Sequence, residues 1–374
     1  MPSLGYAVFR IYAVEQEQEQ EHTSGALVLE NEKVRVQFEE KTGAMVSIWD
    51  NETKIEYCDG VFGRDVVVKD NSDTWSHGVT RFHETEGFFV PQSVKKTEDG
   101  PVRSSIRVIS KYKNSTLVQI YTLYKEDSSV RVSAKINWQE KFRCVKIQFP
   151  VALDQYRGIY EIPFGCIEKA CNGEEEPVQR WMDLSGMQED NHKVICGVGI
   201  LNDCKYSACM EHNCMEMTVL RSPVYAHHNP YILDEEEDDY QFTDQGIQNF
   251  CYTIVPHLGT GKEAHLVQRA EELNQPCVTV IETYHKGDYP QKAELLTVSE
   301  SHVVLSALKK AEKDRGYIVR LYETEGKACQ ADICLHFLEK TIHAEFKPYE
   351  IKTFLVSESV DAEPAKVNFL EWEE

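Results

Sequence analysis

Two short segments of the sequence combine a carboxylate with a tryptophan, a combination able to bind a polyhydroxylated ligand. Asp73 and Trp75 lie in the first segment, and Arg180 and Asp183 flank Trp181 in the second. An aromatic face stacks on a sugar ring, and carboxylate oxygens accept hydrogen bonds from hydroxyl groups. Our candidate substrate-binding residues are therefore Asp73, Trp75, Arg180 and Asp183. The structural alternative is a buried tryptophan with an Arg–Asp pair that fixes a turn.

Other segments that resemble known cofactor motifs are incomplete. Segment 197–202 begins like a dinucleotide fingerprint but lacks the third glycine, and segment 259–262 is followed by Glu263 where a phosphate loop needs Ser or Thr. Cys204 and Cys209 belong to a series spaced by five residues, without the paired C-x2-C spacing of a structural zinc site. We therefore expect no cofactor-binding motif and no metal ligand in this chain.

The composition narrows the class of ligand. The 374 residues include 40 Lys and Arg against 62 Asp and Glu, which gives a formal net charge of −22. Such an acidic surface repels phosphate, so we expect neither nucleic acid nor an anionic membrane as a partner. A neutral small molecule or a neutral glycan is compatible with this charge. The acidic runs at 174–176 and 234–239 are predicted to be a solvated turn and a solvated loop, without the ligand spacing of a calcium site.

The start of the chain and its cysteines indicate the cellular compartment. The first residues lack the basic segment and apolar run of a secretory signal, and no apolar stretch approaches the ~18 residues of a membrane span. Without such a signal, the twelve cysteines are expected to be reduced thiols. We therefore expect a cytoplasmic protein.

Strand signals dominate the sequence. Apolar residues at every second position of segment 130–138 predict a strand with one buried face. Segments 106–110 and 117–124 precede it with short polar turns and complete a predicted meander. Segments 34–38 and 44–49 predict a hairpin. Further strands are predicted at 143–149, 161–167, 193–201, 214–221, 248–256, 303–309, 316–323 and 330–338.

The predicted fold class is all-β. So many strands cannot share one flat sheet, and they imply stacked antiparallel sheets with an extended sandwich core. One short helix is predicted at 262–274, where Pro276 ends it. The Glu- and Gln-rich run at 15–21 is too polar to pack and predicts a linker. The predicted domains are a junction strand with a polar linker at 1–24, a β super-sandwich at 25–275 and a C-terminal β-sandwich sub-domain at 276–374.

A set of sequence segments that follow one another in a fixed order points to a protein family more specifically than these strand patterns do. The segments are, in order, 163–186, 199–206, 220–223, 244–257, 303–310, 320–323 and 368–372. Their order and spacing resemble the C-terminal β region of glycoside hydrolase family 38, the α-mannosidases. The resemblance covers nearly the whole chain, and it implies a mutarotase-like super-sandwich followed by smaller β-sandwich elements.

The resemblance also implies that catalysis is carried out by a different domain. In this family the zinc ligands and the nucleophilic Asp lie in an N-terminal catalytic domain, and no residue of this chain matches them. The resemblance thus implies the β portion of a retaining α-mannosidase, which hydrolyses α-mannosides in glycan catabolism. It implies no cofactor in this chain, zinc in the missing catalytic domain, and no activity of the chain alone. The implied partners are a mannose-containing oligosaccharide and either that catalytic domain or a second copy of the chain.

A second hypothesis is a stand-alone carbohydrate-binding or mutarotase-like protein. A mutarotase needs a His and a Glu paired in one open cleft. His77, His83 and His257 are available, but no spacing in the sequence singles out a partner for any of them. The two hypotheses share a sugar ligand and differ in whether the chain performs its own chemistry.

Overall fold

The computed structural model describes residues 4–12, 26–188, 194–227, 233, 239–313, 316–359 and 361–372. The predicted linker at 15–21 and residues 234–238 of the predicted acidic loop lie outside these ranges. The described elements are β-strands, one α-helix and one short 3-10 helix at His336–Leu338. Their bounds are β1 (Gly5–Ala7), β2 (Val28–Glu30), β3 (Val34–Phe38), β4 (Met45–Asp50), β5 (Arg64–Lys69), β6 (Thr85–Phe88), β7 (Val90–Asp99), β8 (Arg103–Tyr112), β9 (Ser115–Tyr124), β10 (Val130–Trp138), β11 (Arg143–Pro150), β12 (Gln155–Ile162), β13 (Gly165–Lys169), β14 (Glu176–Pro177), β15 (Trp181–Gln188), β16 (Val194–Asn202), β17 (Ser207–Glu211), β18 (Cys214–Ser222), β19 (Gly246–Leu258), α1 (Leu266–Asn274), β20 (Lys292–Glu294), β21 (Leu296–Val298), β22 (Val303–Lys310), β23 (Gly316–Glu323), β24 (Cys329–Leu335), β25 (Lys340–Phe346), β26 (Ile351–Ser357) and β27 (Ala365–Val367).

The larger of two compact units comprises residues 20–162 and 167–276. Its main sheets have nine strands, in the order β13-β12-β15-β16-β19-β10-β9-β8-β7, and six strands, in the order β14-β17-β18-β11-β5-β6. One apolar core joins them, with Trp138 and Tyr252 from the first sheet and Phe149 from the second all fully buried. A three-stranded sheet, β2-β3-β4, contributes to the same core. The predicted all-β super-sandwich of stacked antiparallel sheets is thereby confirmed.

The strands predicted for this unit from the alternation of apolar and polar residues are present in the structure. In β10 the alternating apolar residues are buried and the intervening ones mostly face outward, as expected for a strand on one sheet of a sandwich. The meander is confirmed, because β8, β9 and β10 are neighbours in the nine-stranded sheet. The hairpin of β3 and β4 is also confirmed, with Gly43 in the left-handed region at its turn.

Three predicted boundaries are wrong, each for a local reason. The strand predicted at 161–167 is interrupted, because Phe164 adopts a left-handed φ of 58° between β12 and β13. The strand predicted to reach residue 338 ends at Leu335, where the 3-10 helix begins. The helix predicted from 262 begins at Leu266, after His265 takes a left-handed φ of 53°.

The smaller unit comprises residues 1–19, 163–166 and 277–374. A three-stranded sheet, β21-β24-β25, and a four-stranded sheet, β22-β23-β26-β27, share a second apolar core that includes Leu321, Ile333 and Val356. The strands β1 and β20 form a separate two-stranded sheet. No helix among the described residues is both long and apolar enough to cross a membrane.

One carboxyl group lies inside the core of the larger unit. The Asp65 side chain on β5 accepts a hydrogen bond from the Gln119 amide at 3.2 Å, and the same amide lies 3.3 Å from the hydroxyl of Tyr252. Burial raises the pKa of Asp65 to about 8. The super-sandwich therefore carries a titratable group whose neutral form is favoured by its surroundings.

Candidate functional site

The loop between β5 and β6, residues 70–84, covers part of the outer face of the six-stranded sheet; we call it the Asp73 loop. Arg221 on β18 holds it: its Nε lies 2.9 Å from Oδ2 of Asp70, and its Nη2 donates to Ser72 Oγ at 2.9 Å. The ring of Phe82 lies 4.4 Å from the same guanidinium. The Asp70 carboxylate is fully buried, so this charge-assisted contact is shielded from solvent.

The Asp73 side chain is buried, and only one of its two carboxylate oxygens has hydrogen-bond partners among the described residues. Its Oδ1 accepts hydrogen bonds from the backbone N–H groups of Trp75 at 2.9 Å and Ser76 at 3.2 Å, which closes an Asx turn. Its Oδ2 is buried and has no hydrogen-bond partner among the described residues. A buried acceptor without a donor costs free energy, so a hydrogen bond to this oxygen is favourable for any donor that the surrounding loop admits.

Aromatic side chains lie beside this turn. The Trp75 side chain is 55% exposed, and its ring centre lies 6.3 Å from that of His77. The backbone N–H of Ala226 donates to Thr74 Oγ1 at 3.1 Å, which brings the exposed Tyr225 to the same part of the surface. The structure thus places Asp73 and Trp75 together in a setting with a free acceptor and accessible aromatic faces.

Arg180 lies beside a different sheet, directly before β15, and is held by two glutamates. Its Nη2 lies 2.5 Å from Oε1 of Glu161, and its Nη1 contacts Glu271 of α1. Burial lowers the pKa of Arg180, but these carboxylates outweigh it and raise the pKa above its ordinary value. The side chain therefore ties the sheet to the helix.

Asp183 is completely buried on β15. Its Oδ1 lies 2.8 Å from Nε2 of His257, and its Oδ2 accepts the backbone N–H of Gly261 at 3.2 Å. These contacts fix the turn before α1, so the geometry favours the structural alternative for Asp183. The Arg–Asp pair of that alternative is not formed, because Arg180 binds Glu161 and Glu271. Substrate contact at Arg180 and Asp183 stays a prediction without support from this geometry.

A buried ion cluster lies close to the Asp73 loop, and the sequence did not reveal it. Lys146 on β11 is fully buried, with Nζ 3.0 Å from Oε2 of Glu216 and in contact with Glu175. Although burial lowers the pKa of Lys146, the two carboxylates raise it above its ordinary value. The backbone N–H of Glu175 in turn donates to Thr80 O at 2.9 Å. The prediction of a solvated turn at 174–176 is therefore wrong for Glu175, which connects the cluster to the loop.

Sequence reasoning also missed Arg221 and Tyr225. The segment 220–223 was part of the family resemblance, but nothing local to it shows that its arginine reaches Asp70, 151 positions earlier. Among the described residues, no three His, Cys, Asp or Glu side chains are grouped to hold a metal ion. We assign no step to zinc here, since the resemblance implies that metal for the catalytic domain.

Two family models match the chain. That of the glycosyl hydrolases family 38 C-terminal domain matches residues 29–241, and that of the family 38 C-terminal beta sandwich domain matches residues 302–354. The Asp73 loop and Arg221 both lie within the first match.

Curated relatives agree with these matches. Alpha-mannosidase 2C1 of Mus musculus is 27% identical over 336 residues, which cover 84% of this chain and 30% of the relative. An alpha-mannosidase of Saccharomyces cerevisiae is 26% identical over 384 residues, covering 89% of this chain and 33% of the relative. The chain thus spans about a third of the length of these relatives.

Solved structures show the same fold. A protein in the glycosyl hydrolase family 38 from Enterococcus faecalis is similar with a TM-score of 0.71 at 16% identity, over 88% of this chain and 44% of that one. An alpha-mannosidase from the same organism gives 0.70 at 16% identity, over 88% and 42%. Because the first family model matches more than half of its residues, this chain belongs to glycoside hydrolase family 38, of which it carries the C-terminal β region.

Proposed function

We propose that this chain is the β-sandwich portion of a retaining α-mannosidase, where it supports and lines the active site of a zinc-dependent catalytic domain. The reaction served is the hydrolysis of α-mannosides in glycan catabolism. The observation that carries this proposal is the unpaired, buried Oδ2 of Asp73 beside the accessible ring of Trp75. Membership of family 38 makes an α-mannoside the substrate class to consider first.

The chemistry of the Asp73 loop suits a sugar. An ionised carboxylate only accepts hydrogen bonds, so the partner of Oδ2 must offer a donor such as a hydroxyl group. Trp75 offers an apolar face to the C–H side of a pyranose ring. The net charge of −22 disfavours a phosphorylated ligand and is compatible with a neutral mannoside.

The bond-breaking step is assigned to another part of the enzyme. A retaining glycosidase needs a nucleophilic carboxylate and an acid/base carboxylate about 5–5.5 Å apart. We identify no such pair at the Asp73 loop, where the Asp70 carboxylate is buried against Arg221. The role of Asp73 and Trp75 is therefore to bind and orient substrate, and the cluster of Lys146 supports the loop that carries them.

The alternative of a stand-alone mutarotase-like protein is less favoured. It needs an accessible histidine opposite a glutamate. Of the three candidate histidines, His257 is buried and bound to Asp183, so only the exposed His77 and His83 of the Asp73 loop stay available to this alternative. A cytosolic location stays part of our proposal and is supported by the twelve cysteines, none of which forms a disulfide in the described part of the chain.

A hydrolysis assay tests whether this chain has α-mannosidase activity without the catalytic domain. The purified chain is incubated with 4-nitrophenyl α-mannoside, and release of nitrophenol is followed with and without a chelator. We expect no release in either case. Turnover that survives the chelator contradicts a purely supporting role, and polarimetry with fresh glucose or galactose tests the mutarotase alternative in the same preparation.

Binding tests the sugar contact itself. We expect mannobiose to quench tryptophan fluorescence with a millimolar dissociation constant, worth about −4 kcal/mol, because the chain supplies one wall of the site. Trp75→Phe is expected to remove this quenching, while Trp372→Phe, a change at another exposed tryptophan, leaves it intact. Unchanged quenching in Trp75→Phe, or no binding by the wild-type chain, overturns the assignment.

A further inference from the structure

A second cavity of the larger unit shares no residue with the Asp73 loop; we call it the Trp49 cavity. Its volume is about 420 Å³. Small-molecule sites typically enclose ~300–1,000 Å³, so the cavity is large enough for a small ligand. The aromatic and polar side chains that line it are Trp49, Lys54, Glu56, Asp59, Asp154 and Gln188.

Hydrogen bonds hold the walls of this cavity in place. Glu56 forms an isolated bridge with Trp49 of β4, and its Oε1 accepts the backbone N–H of Ile48 at 2.8 Å. The backbone N–H of Asp154 donates to Met187 O at 2.9 Å, which joins the segment after β11 to β15. The cavity is therefore formed before a ligand binds, which limits the entropy that binding costs.

Gln188 offers the cavity an acceptor with a fixed orientation. The residue is 8% exposed, and its Nε2 donates to the backbone carbonyls of Glu56 at 2.8 Å and Ala152 at 2.5 Å. These two bonds use both amide hydrogens, and a rotated amide would place its oxygen against two carbonyl oxygens. Oε1 therefore stays on the cavity side, where it has no hydrogen-bond partner among the described residues.

The charge of the cavity is negative. Three carboxylates line it against one ammonium group, which leaves a formal charge of −2. The ammonium of Lys54 donates to Asn51 O. Arg35 lies opposite Trp49 on the neighbouring strand, but its guanidinium pairs with Glu30 at 3.6 Å. The cavity therefore attracts a cation, and the net charge of −22 raises the concentration of cations around the whole chain.

The lining favours an organic cation over a metal ion. Within the described ranges, the cavity carboxylates belong to no group of three His, Cys, Asp or Glu side chains that could hold a metal. Trp49 instead offers an indole face, the aromatic surface that attracts an ammonium group most strongly. An ammonium that carries hydrogens can also donate to Oε1 of Gln188 and to the carboxylates.

We propose that the Trp49 cavity is a binding site for a small protonated aliphatic amine. The ammonium group lies among Gln188 Oε1 and the carboxylates of Asp59 and Asp154, and the alkyl chain packs on the Trp49 ring. This site differs from the proposed sugar contact in its residues and in the charge of its ligand.

Calorimetric titration with n-butylamine, which is protonated at neutral pH, tests the proposal. We expect a dissociation constant on the order of 1 mM at low ionic strength, weakening as salt screens the carboxylates. The uncharged n-butanol has the same chain length and is expected to show no measurable binding. Equal affinity for the amine and the alcohol, or no binding of the amine, overturns the proposal.

A double variant locates the amine in the cavity. Asp59→Asn combined with Asp154→Asn removes two of the carboxylates at exposed positions and is expected to weaken amine binding at least about tenfold. The matched control, Glu358→Gln combined with Asp361→Asn, removes the same charge from exposed positions of the smaller unit. We expect this control to bind within about twofold of the wild-type chain. Equal weakening in the two double variants overturns the proposal, because it indicates that only the overall charge matters.

The contribution of the indole is tested separately. Trp49→Leu keeps an apolar side chain but removes the aromatic face, so amine affinity is expected to fall about fivefold, while Trp372→Leu leaves it unchanged. Circular dichroism and thermal unfolding show whether each variant is folded before it is titrated. Asp73→Asn is expected to bind n-butylamine like the wild-type chain, so failure of the sugar contact and failure of the amine site are distinguishable. Mannobiose binding that the Asp59 and Asp154 double variant loses contradicts the assignment to an amine.

Discussion

The guanidinium of Arg221 lies 2.9 Å from the buried carboxylate of Asp70. This contact joins β18 to the Asp73 loop across 151 positions of sequence. It explains why a loop without regular structure keeps Asp73 and Trp75 in one place, which a binding site on a loop requires.

Removal of this arginine is expected to be costly. Arg221→Met leaves the Asp70 carboxylate buried without its partner, so we expect a loss of about 3–5 kcal/mol in the free energy of unfolding. Urea unfolding followed by fluorescence measures it. The control is Arg103→Met, which breaks the exposed pair with Glu98. We expect it to cause no measurable change in the free energy of unfolding. Equal losses in the two variants contradict a buried, structural contact at Arg221.

Asp73→Asn separates binding from stability. The amide keeps an oxygen for the N–H groups of Trp75 and Ser76, but it replaces the unpaired Oδ2 with a donor. We expect stability to change by less than about 0.5 kcal/mol and mannobiose affinity to fall at least about tenfold. Isothermal calorimetry measures the mannobiose affinity, and urea unfolding measures the free energy of unfolding. Unchanged affinity argues that Oδ2 does not meet the sugar.

Asp65 is expected to make stability depend on pH in an unusual direction. Its pKa is raised by burial from 3.8 to about 8, so between these values the folded chain holds a proton that the unfolded chain has released. Its contribution is fully present below about pH 4 and is lost as pH rises through about 8. Asp65→Asn is therefore expected to reduce the loss of stability measured by urea unfolding between about pH 5 and pH 9.

The control for this prediction is Asp361→Asn, which changes an exposed carboxylate and is expected to keep the wild-type pH profile. If the Asp65 and Asp361 variants lose stability equally with rising pH, another group is responsible.

Substitutions in the ion cluster near the Asp73 loop are expected to have non-additive effects on the free energy of unfolding. Lys146→Met leaves the Glu175 and Glu216 carboxylates together without their cation, and we expect it to cost about 3–5 kcal/mol. Adding Glu216→Gln removes one of the two like charges, so the double variant is expected to be more stable than Lys146→Met alone. Urea unfolding of the four chains completes the cycle. Purely additive losses indicate that the charges do not interact.

Much of the fold could be predicted from the sequence because its signals are local. The alternation along β10, the short turns of the meander and the β3–β4 hairpin depend on residues a few positions apart. Boundaries failed where one residue took an unusual conformation, as at Phe164 and His265, because Phe gives no signal of a left-handed φ and His gives only a weak one.

The sequence by itself determined the all-β class, the acidic balance and the family to which the chain belongs. Only the tertiary structure decided which polar groups meet. A period of two tells which face of a strand a side chain occupies, but the partner across the sheet depends on strand order and register. That is why Asp73 and Asp183, both candidates from the sequence, differ in the fold. One keeps an unpaired oxygen beside exposed aromatic rings, and the other is buried against His257.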